Sequence, residues 1–165
     1  MKQKTVMGSI SRRRLLQLAG VTTLALMLEG LTPAARAENA RKMKIGIIGS
    51  GRVGSAIGSV WVSAGHEVMF SSRHIEHDKA LAEKLGSNAH GGTPKQAAAF
   101  GEVVMISVPY GALPEVGKDL AALINGKVVI DTCNPFIWRD GDIAAWAREK
   151  GAGLASAELL PGARI

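Results

Sequence analysis

The chain has a single cysteine, Cys133, among its 165 residues. That count excludes an intramolecular disulfide and a cysteine-rich metal site. Without a disulfide the folded protein must depend on its apolar core, and the chain is long enough to form one. Cys133 follows an apolar run that is predicted to be a buried strand, so we predict that its thiol packs in the interior and is not a nucleophile.

Residues 1–37 have the three-part organisation of an export signal. Residues 12–14 are three consecutive arginines in a basic head, residues 15–31 are mostly apolar, and a small-residue cleavage site ends at Ala37. Residues 11–17 resemble the twin-arginine motif, which is an address read by a receptor. An uncleaved anchor or a basic amphipathic helix is the alternative, although the apolar stretch is marginal against the ~20 residues of a membrane span.

The sequence also lacks a charge surplus once this segment is set aside. The formal net charge of the whole chain is +6, but residues 1–37 carry six of its 20 basic residues and one of its 14 acidic ones. Residues 38–165 therefore have a net charge of +1, which gives no support to nucleic-acid binding. We predict a twin-arginine signal at 1–37, recognised by the export machinery, and a periplasmic or secreted domain at 38–165 with no stable membrane anchor after cleavage.

Strand-like apolar runs alternate with helical patterns through residues 38–165, which is typical of a parallel sheet with crossover helices. Strands are predicted at 44–48, 67–71, 88–90, 103–108 and 127–131, with the entrance to a sixth strand at 161–165. Helices are predicted at 53–64, 78–85, 94–100, 110–124, 142–150 and 155–160. The sequence thus predicts an α/β fold, a Rossmann-type doubly wound parallel sheet with helices on both faces.

Apolar spacing also predicts which side of each helix is buried. In the first helix the apolar positions include Val53, Val60 and Trp61. Ala80 is expected to point inward from the second helix, and Trp146 from the helix at 142–150.

Three glycines join the first strand to the first helix in the order Gly49-x-Gly51-x-x-Gly54. In dinucleotide-binding folds the first glycine permits a tight turn, the second lets the backbone approach a pyrophosphate, and the third lets the helix pack on the strand. The N–H groups of the first helical turn then face the anion. Because the motif lies between a predicted strand and a predicted helix, it indicates dinucleotide binding.

The end of the second strand lacks the carboxylate that would accept hydrogen bonds from the ribose hydroxyls of NAD. Ser72 and Arg73 occupy that position, and Glu67 is too early in the strand. A guanidinium can form paired, charge-assisted bonds to a phosphate, so the sequence favours NADP. The alternative is a solvated loop with an incidental arginine.

Four stretches together resemble the coenzyme F420-dependent NADP oxidoreductase family. They are residues 43–54, Ser72-Arg73, Ser107-Val108-Pro109 and the Asn134-Pro135 turn after Asp131. The ferric-reductase nucleotide domains and the pyrroline-5-carboxylate reductases are related to it. The resemblance covers almost all of residues 43–165.

The resemblance implies a set of cofactor-binding residues. Those near the phosphates are Gly49, Ser50, Gly51, Arg52, Val53 and Gly54, with Ser72 and Arg73 at the 2′-phosphate. Those on the path to the nicotinamide are Ser107, Val108 and Pro109, with Asn134 and Pro135 beside the ring. It also implies that the cofactor is NADP(H), that the acceptor is coenzyme F420 or another flavin-like molecule, and that the protein forms a homodimer. Family members continue through a sixth strand and further helices, so the chain is expected to be truncated after Ile165.

No catalytic acid–base pair stands out in the sequence. Hydride transfer to a flavin-like ring needs little acid–base help, whereas carbonyl reduction needs a proton donor. Candidate donors are His66, His74, His77, His90 and Tyr110. No metal site is predicted, because His74 and His77 lack a third ligand, and Trp138 is the one tryptophan expected to contribute to a substrate wall. We therefore expect an NADPH-dependent oxidoreductase. The alternatives are a non-catalytic NADP-binding module or fragment, and an imine or carbonyl reductase.

Overall fold

The computed structural model describes residues 41–165 of the chain. The predicted export signal at residues 1–37, with its twin-arginine motif and cleavage site, lies outside the described residues. Within the described part, no helix is both long enough and apolar enough to cross a membrane.

The described residues form a five-stranded sheet in which all paired strands are parallel. The strands are β1 (Lys44–Ile48), β2 (Glu67–Ser71), β3 (Ala89–Gly92), β4 (Val103–Ile106) and β5 (Val128–Asp131). Their order in the sheet is β3-β2-β1-β4-β5, so the direction of strand addition reverses between β1 and β4. Ile45 of β1, for example, pairs with Val68 on one side and with Val103 on the other.

Helices connect the strands and continue after the last one. They are α1 (Arg52–Ser63), α2 (Ile75–Leu85), α3 (Pro94–Phe100), α4 (Leu113–Ile124), α5 (Ile137–Asp140), α6 (Asp142–Lys150) and α7 (Ala152–Leu159). A 3-10 turn, Tyr110–Ala112, precedes α4. Thr93 is the N-cap of α3, as the Thr-Pro sequence predicts, and it also forms a complete capping box with Gln96. The one-turn helix α5 was not predicted.

The sheet has an apolar core on each face. On one face Ile47 and Met105 pack with residues of α1 and α2. On the other face their sequence neighbours Ile48 and Ile106 pack with residues of α3, α4, α6 and α7. Successive strand residues point to opposite faces, so both faces of these strands are buried. The predicted fold class is therefore confirmed.

The buried face of α1 agrees with the prediction only in part, because Trp61 packs against the core but two other predicted residues do not. Val53 and Val60 are 50% and 66% exposed, whereas the buried residues of the helix are Gly54, Gly58 and Val62. A Cβ atom added at Gly58 would lie 2.5 Å from Ile47 Cδ1. The helix therefore contacts the sheet through glycines at close range, and a pattern of apolar side chains cannot reveal such a contact.

Two further burial predictions were wrong. In α2, Ala80 is exposed and Asp78 is fully buried. In α6, Trp146 is 36% exposed, with the Lys150 ammonium 5.8 Å from its ring, whereas its neighbour Ala147 is buried, as the helical spacing predicts. The prediction of a sixth-strand entrance is confirmed, because Arg164 forms a parallel bridge with Val128.

Candidate functional site

The loop after β1 is fixed by backbone contacts to the neighbouring strands. Gly49 has φ +100°, and a Cβ atom there would lie 2.7 Å from the carbonyl carbon of Ser107. The amides of Gly49 and Ser50 donate to the carbonyl oxygen of Ser71 at 2.8 and 3.0 Å. The loop therefore lies between the ends of β2 and β4, and its first residue must be glycine.

The next part of the loop leaves open space in front of α1. Gly51 is the N-cap of the helix and makes no side-chain capping bond, and a Cβ atom added to it would meet nothing within 4 Å. The first amides of a helix lack intrahelical partners and favour an anion. Gly54, one turn later, is packed against Gly49 instead. The geometry suits the close approach of a phosphate group to the helix N-terminus.

A cavity of about 1050 Å³ lies beside this loop. It is at the carboxyl ends of the strands, next to the point where the strand order reverses, which is where open α/β sheets bind ligands. Its lining includes eight of the residues predicted to bind cofactor: Gly49, Ser50, Gly51, Ser72, Arg73, Ser107, Val108 and Pro109. Segments from the ends of three strands, remote in sequence, thus meet in one cavity.

The other five predicted residues lie elsewhere. Arg52, Val53 and Gly54 form the first turn of α1 and do not line this cavity. Asn134 and Pro135 line a second cavity of about 340 Å³ after β5, together with Asp131 and Cys133. The turn expected beside the nicotinamide is therefore not part of the cavity that the glycine loop lines.

Arg73 and Ser72 differ in what they contact. Arg73 is exposed and makes no hydrogen bond or ion pair with any residue in the range 41–165. Ser72 is engaged: its hydroxyl donates to Asp78 Oδ2 at 2.8 Å and accepts from the amide of His74 at 3.0 Å. The guanidinium is therefore available to a ligand, whereas the hydroxyl proton points to a protein carboxylate.

Sequence reasoning missed Asp78. This carboxylate is fully buried and also accepts a hydrogen bond from the hydroxyl of Ser50. It lies in the first turn of α2, where an acidic residue usually faces solvent and interacts with the helix dipole. Nothing in its spacing distinguishes it from such a surface residue.

The loop after β5 is held by Arg139. Its Nη2 donates to the carbonyl oxygen of Asn134 at 2.9 Å and contacts Asp140 Oδ2 at 2.7 Å. The hydrogen bond from Arg139 is the main cause that lowers the pKa of Asp140. Asp140 in turn accepts from the amides of Gly111 and Phe136, so this short ion pair joins the loop to the start of the 3-10 turn.

Cys133 behaves as a packed residue. It is 6% exposed, and burial, followed by the charge of Asp131, raises the pKa of its thiol to about 12. A thiol with such a pKa carries almost no thiolate at neutral pH. The prediction that it packs in the core is confirmed.

The candidate proton donors occupy different environments. Tyr110 is fully buried, with its hydroxyl 3.2 Å from Ser156 Oγ, and burial is the main cause that raises its pKa. His66 Nδ1 accepts from the amide of Met43. His74 and His77 line the larger cavity. Among residues 41–165 there is no group of three or more histidine, cysteine or acidic side chains that could hold a metal ion.

Trp138 lies on the surface of α5. Its side chain is 81% exposed and lies near Phe136, with ring centroids 5.7 Å apart. It lines neither of the two cavities described above.

Comparison with protein families identifies the family to which this chain belongs. The family model described as "NADP oxidoreductase coenzyme F420-dependent" matches residues 44–135, more than half of the chain. The chain belongs to this family. The matched region begins at β1 and ends at the Asn134-Pro135 turn. It therefore contains all five strands and the segments after β1, β2 and β4 that line the larger cavity.

Solved structures with the same fold are dehydrogenases and reductases. A Mycobacterium tuberculosis 3-hydroxyisobutyrate dehydrogenase is 21% identical, with a TM-score of 0.51, over 67% of this chain and 38% of its own. A Streptomyces aurantiacus imine reductase is 26% identical, with a TM-score of 0.50, over 70% of this chain and 38% of its own. A putative F420-dependent NADP reductase from an Arthrobacter species is 27% identical, with a TM-score of 0.48, over 56% and 46%.

The chain spans less than half the length of these solved structures. A search of curated proteins gave no match. The family and the structural neighbours are NAD(P)-dependent oxidoreductases, and this chain carries the dinucleotide-binding type of fold that they share.

Proposed function

We propose that this protein binds NADP(H) and transfers a hydride between its nicotinamide and a flavin-like acceptor of the coenzyme F420 type. The observation that carries the cofactor assignment is the position of Arg73. Its unpaired guanidinium lines the same cavity as the glycine loop, at the end of β2, where an NAD-binding protein of this fold has a carboxylate. The acceptor class rests on the family to which the chain belongs.

The charges around Arg73 also suit a phosphate. His74 and Lys95 line the cavity with it, while Glu67, the acid at the other end of β2, lies 4.0 Å from Lys44. Asp78 is close in sequence, but both of its oxygens accept hydrogen bonds from serine hydroxyls inside the protein. Glu115 and Asp119 of α4 also line the cavity, but the ribose-reading position at the end of β2 is occupied by Ser72 and Arg73 and not by a carboxylate.

The rest of the cavity fits a dinucleotide. The open space at Gly51 gives the pyrophosphate access to the amides of α1, and the segment Ser107-Val108-Pro109 continues the cavity along the end of β4. The nicotinamide supplies the hydride when the cofactor is bound, and the protein contributes binding, orientation and exclusion of water. Such a reaction is consistent with a cavity that contains no buried acid–base pair.

Binding and turnover should be measured separately. We expect the purified protein to bind NADPH more tightly than NADH and to oxidise NADPH when a deazaflavin or flavin acceptor is added. Turnover with cyclic imines but not with flavins would favour an imine reductase, and binding without turnover across deazaflavin, flavin, ferric, quinone and imine acceptors would favour a non-catalytic module.

Arg73→Ala tests the cofactor assignment directly. A charge-assisted hydrogen bond contributes about 1.5–3 kcal/mol, so the affinity for NADPH should fall by about 10- to 100-fold while that for NADH changes little. Arg148→Ala, at an exposed position of α6, is the matched control and should leave both affinities unchanged. An equal loss for both cofactors in Arg73→Ala would contradict the 2′-phosphate assignment.

The destination of the protein is proposed on the sequence alone. The twin-arginine motif supports periplasmic or secreted localisation of a domain at 38–165, with the export machinery as a partner and the cofactor bound before export. Replacing Arg12 and Arg13 with lysine should abolish export. Unchanged localisation of the double variant would overturn this proposal. We also propose a homodimer, which size-exclusion chromatography with light scattering would test.

A further inference from the structure

Asp78 is a fully buried carboxylate that no part of the proposed chemistry uses. It lies on α2 and is at the back of the cavity-lining loops, not in the cavity wall. Each of its two oxygens has a different partner: Oδ1 accepts from the hydroxyl of Ser50, and Oδ2 accepts from the hydroxyl of Ser72 at 2.8 Å. His77 Nδ1 is 3.5 Å from Oδ1 at the exposed edge of the group.

The two serines belong to two different loops of the cofactor cavity. Ser50 is in the glycine loop, and its amide donates to the carbonyl oxygen of Ser71. Ser72 begins the loop that carries Arg73, and its oxygen accepts from the amide of His74. One carboxylate thus connects the loop proposed to hold the pyrophosphate with the loop proposed to hold the 2′-phosphate.

This connection fixes the direction of both hydroxyl groups. A carboxylate can only accept hydrogen bonds, so the proton of each serine hydroxyl is directed at Asp78. The hydroxyl of Ser72 then has no proton to donate to a phosphate. Its contribution is to hold the Ser72–His74 turn, which sets where the backbone presents Arg73.

We propose that Asp78 is the positioning residue for NADP selectivity. By holding Ser50 and Ser72 at once, it sets the spacing between the pyrophosphate loop and the guanidinium of Arg73. A cofactor with a 2′-phosphate must contact both loops, whereas NADH needs only the first. Loss of Asp78 therefore weakens NADPH binding more than NADH binding. This inference rests on the proposed NADP-binding function.

A residue that only stabilises the fold has a different signature. Its loss would reduce the folded fraction and lower the apparent affinity for both cofactors by the same factor. The ratio of the NADH and NADPH dissociation constants is therefore the discriminating measurement, taken on the full chain by the fluorescence change of the bound nicotinamide. Circular dichroism checks that each variant is folded.

Three variants and a control make the test. Asp78→Ala should lower the preference for NADPH by about tenfold, the effect expected for loss of a hydrogen bond to a charged group. Asp78→Asn keeps the size and can still bond to both serines through its oxygen and its amide, so it should retain most of the preference. Ser72→Ala should lower the preference as Asp78→Ala does. Glu83→Gln, which neutralises an exposed acid on the same helix, should leave it unchanged.

The double variant Asp78→Ala/Ser72→Ala separates the mechanism from coincidence. If Asp78 acts through Ser72, the double variant should have the same preference as Asp78→Ala alone, because the effects of coupled residues do not add. Additive losses, or an unchanged preference in Asp78→Ala, would overturn the proposal. If Asp78→Ala does not fold, an unchanged preference in Ser72→Ala overturns it equally.

The wild-type protein separates this proposal from the proposed function. A wild type without preference for NADPH overturns the NADP assignment, and the role of Asp78 with it. A wild type that prefers NADPH, combined with a preference that survives Asp78→Ala, overturns only the role of Asp78.

Discussion

Replacing Gly51 with alanine tests where the pyrophosphate binds without disturbing the protein that binds it. A Cβ atom at this position would meet nothing within 4 Å, and the residue has φ −67°, which alanine adopts readily. The substitution therefore adds one methyl group to the cavity in front of α1. We expect the affinity for NADPH to fall and the stability of the apoprotein to be nearly unchanged.

The two effects have separable magnitudes. Replacing glycine by alanine at a compatible backbone position stabilises a protein by about 0.4–1 kcal/mol, because the unfolded chain loses freedom. At an N-cap, however, alanine is less favourable than glycine by a similar amount, so the net change in stability should be small. A methyl group between the loop and the pyrophosphate would displace the anion from the amides of α1, and each such charge-assisted bond is worth about 1.5–3 kcal/mol. Loss of one or two of them corresponds to a decrease in NADPH affinity of at least about tenfold, with about 100-fold as the central expectation.

Gly54→Ala is the matched comparison within the same motif. Its Cβ atom would lie 3.1 Å from the carbonyl carbon of Gly49 and 3.2 Å from Ile47 Cγ2, and nearer still to the carbonyl oxygen of Gly49. Overpacking costs about 1–3 kcal/mol, and a backbone neighbour yields less than a side chain does. We expect the free energy of unfolding to fall by about 2 kcal/mol or more.

Urea unfolding followed by tryptophan fluorescence gives the stability of each variant, and titration with NADPH gives its affinity. The reasoning predicts that Gly51→Ala loses affinity and not stability, and that Gly54→Ala loses stability. NADPH binding of wild-type strength by Gly51→Ala would refute the assignment of the pyrophosphate to this loop. A loss of stability in Gly51→Ala equal to that of Gly54→Ala would refute the open space at its Cβ position.

Two further predictions concern residues outside the cofactor loops. Lys127→Met should lower the free energy of unfolding by about 1–3 kcal/mol in a urea titration, because Lys127 Nζ donates to the carbonyl oxygens of Ala98 and Gly101 at 2.7 and 2.8 Å. Lys118→Met, at an exposed position, is the control. An equal loss of stability in both variants would contradict this role of Lys127. The pKa of about 12 for Cys133 predicts that the rate of its reaction with a neutral disulfide reagent is low at neutral pH and keeps rising with pH beyond about pH 9, because the thiolate fraction is still far from complete there. Since the unfolded thiol ionises first, near 9, the stability that this group contributes should be present below about pH 9 and be lost as the pH rises towards 12. A rate that levels off just above about pH 9, as for a free cysteine, would contradict the raised pKa.

The parts of the fold that sequence alone predicted depend on short stretches of the chain. The glycine loop and the apolar runs of β1 and β4 each combine neighbouring residues in a pattern with one structural meaning. The parallel sheet follows from the alternation of those runs with helices, because parallel strands need crossover connections. The Rossmann-type order then brings the strand ends together, so the cavity could be located before its geometry was known.

The burial predictions failed where contact distance, not hydropathy, decides which side of a helix is covered. Gly58 faces the sheet in α1 because only a residue without a side chain fits near Ile47. In α6 the buried residues are Ala144 and Ala147, whereas Trp146, which was also predicted to point inward, is exposed. An apolar residue on a helix gains by burial only if the neighbouring layer leaves room for it. That room depends on how closely the layers approach, which no local sequence pattern records.

Asp78 illustrates a second limit of prediction from sequence, which concerns hydrogen bonds between residues of separate loops. An acidic residue near the start of a helix usually interacts with the helix dipole in solvent, so its type and position predict an exposed side chain. Its burial requires two hydroxyl donors, Ser50 and Ser72, which come from separate loops and meet only when β1 and β2 pair. Because a buried carboxylate without such donors would be strongly unfavourable, the two loops and Asp78 must adopt their positions together. A motif search identifies the glycine loop and Ser72-Arg73, whereas the residue that we propose to set the spacing between these two loops lies behind them.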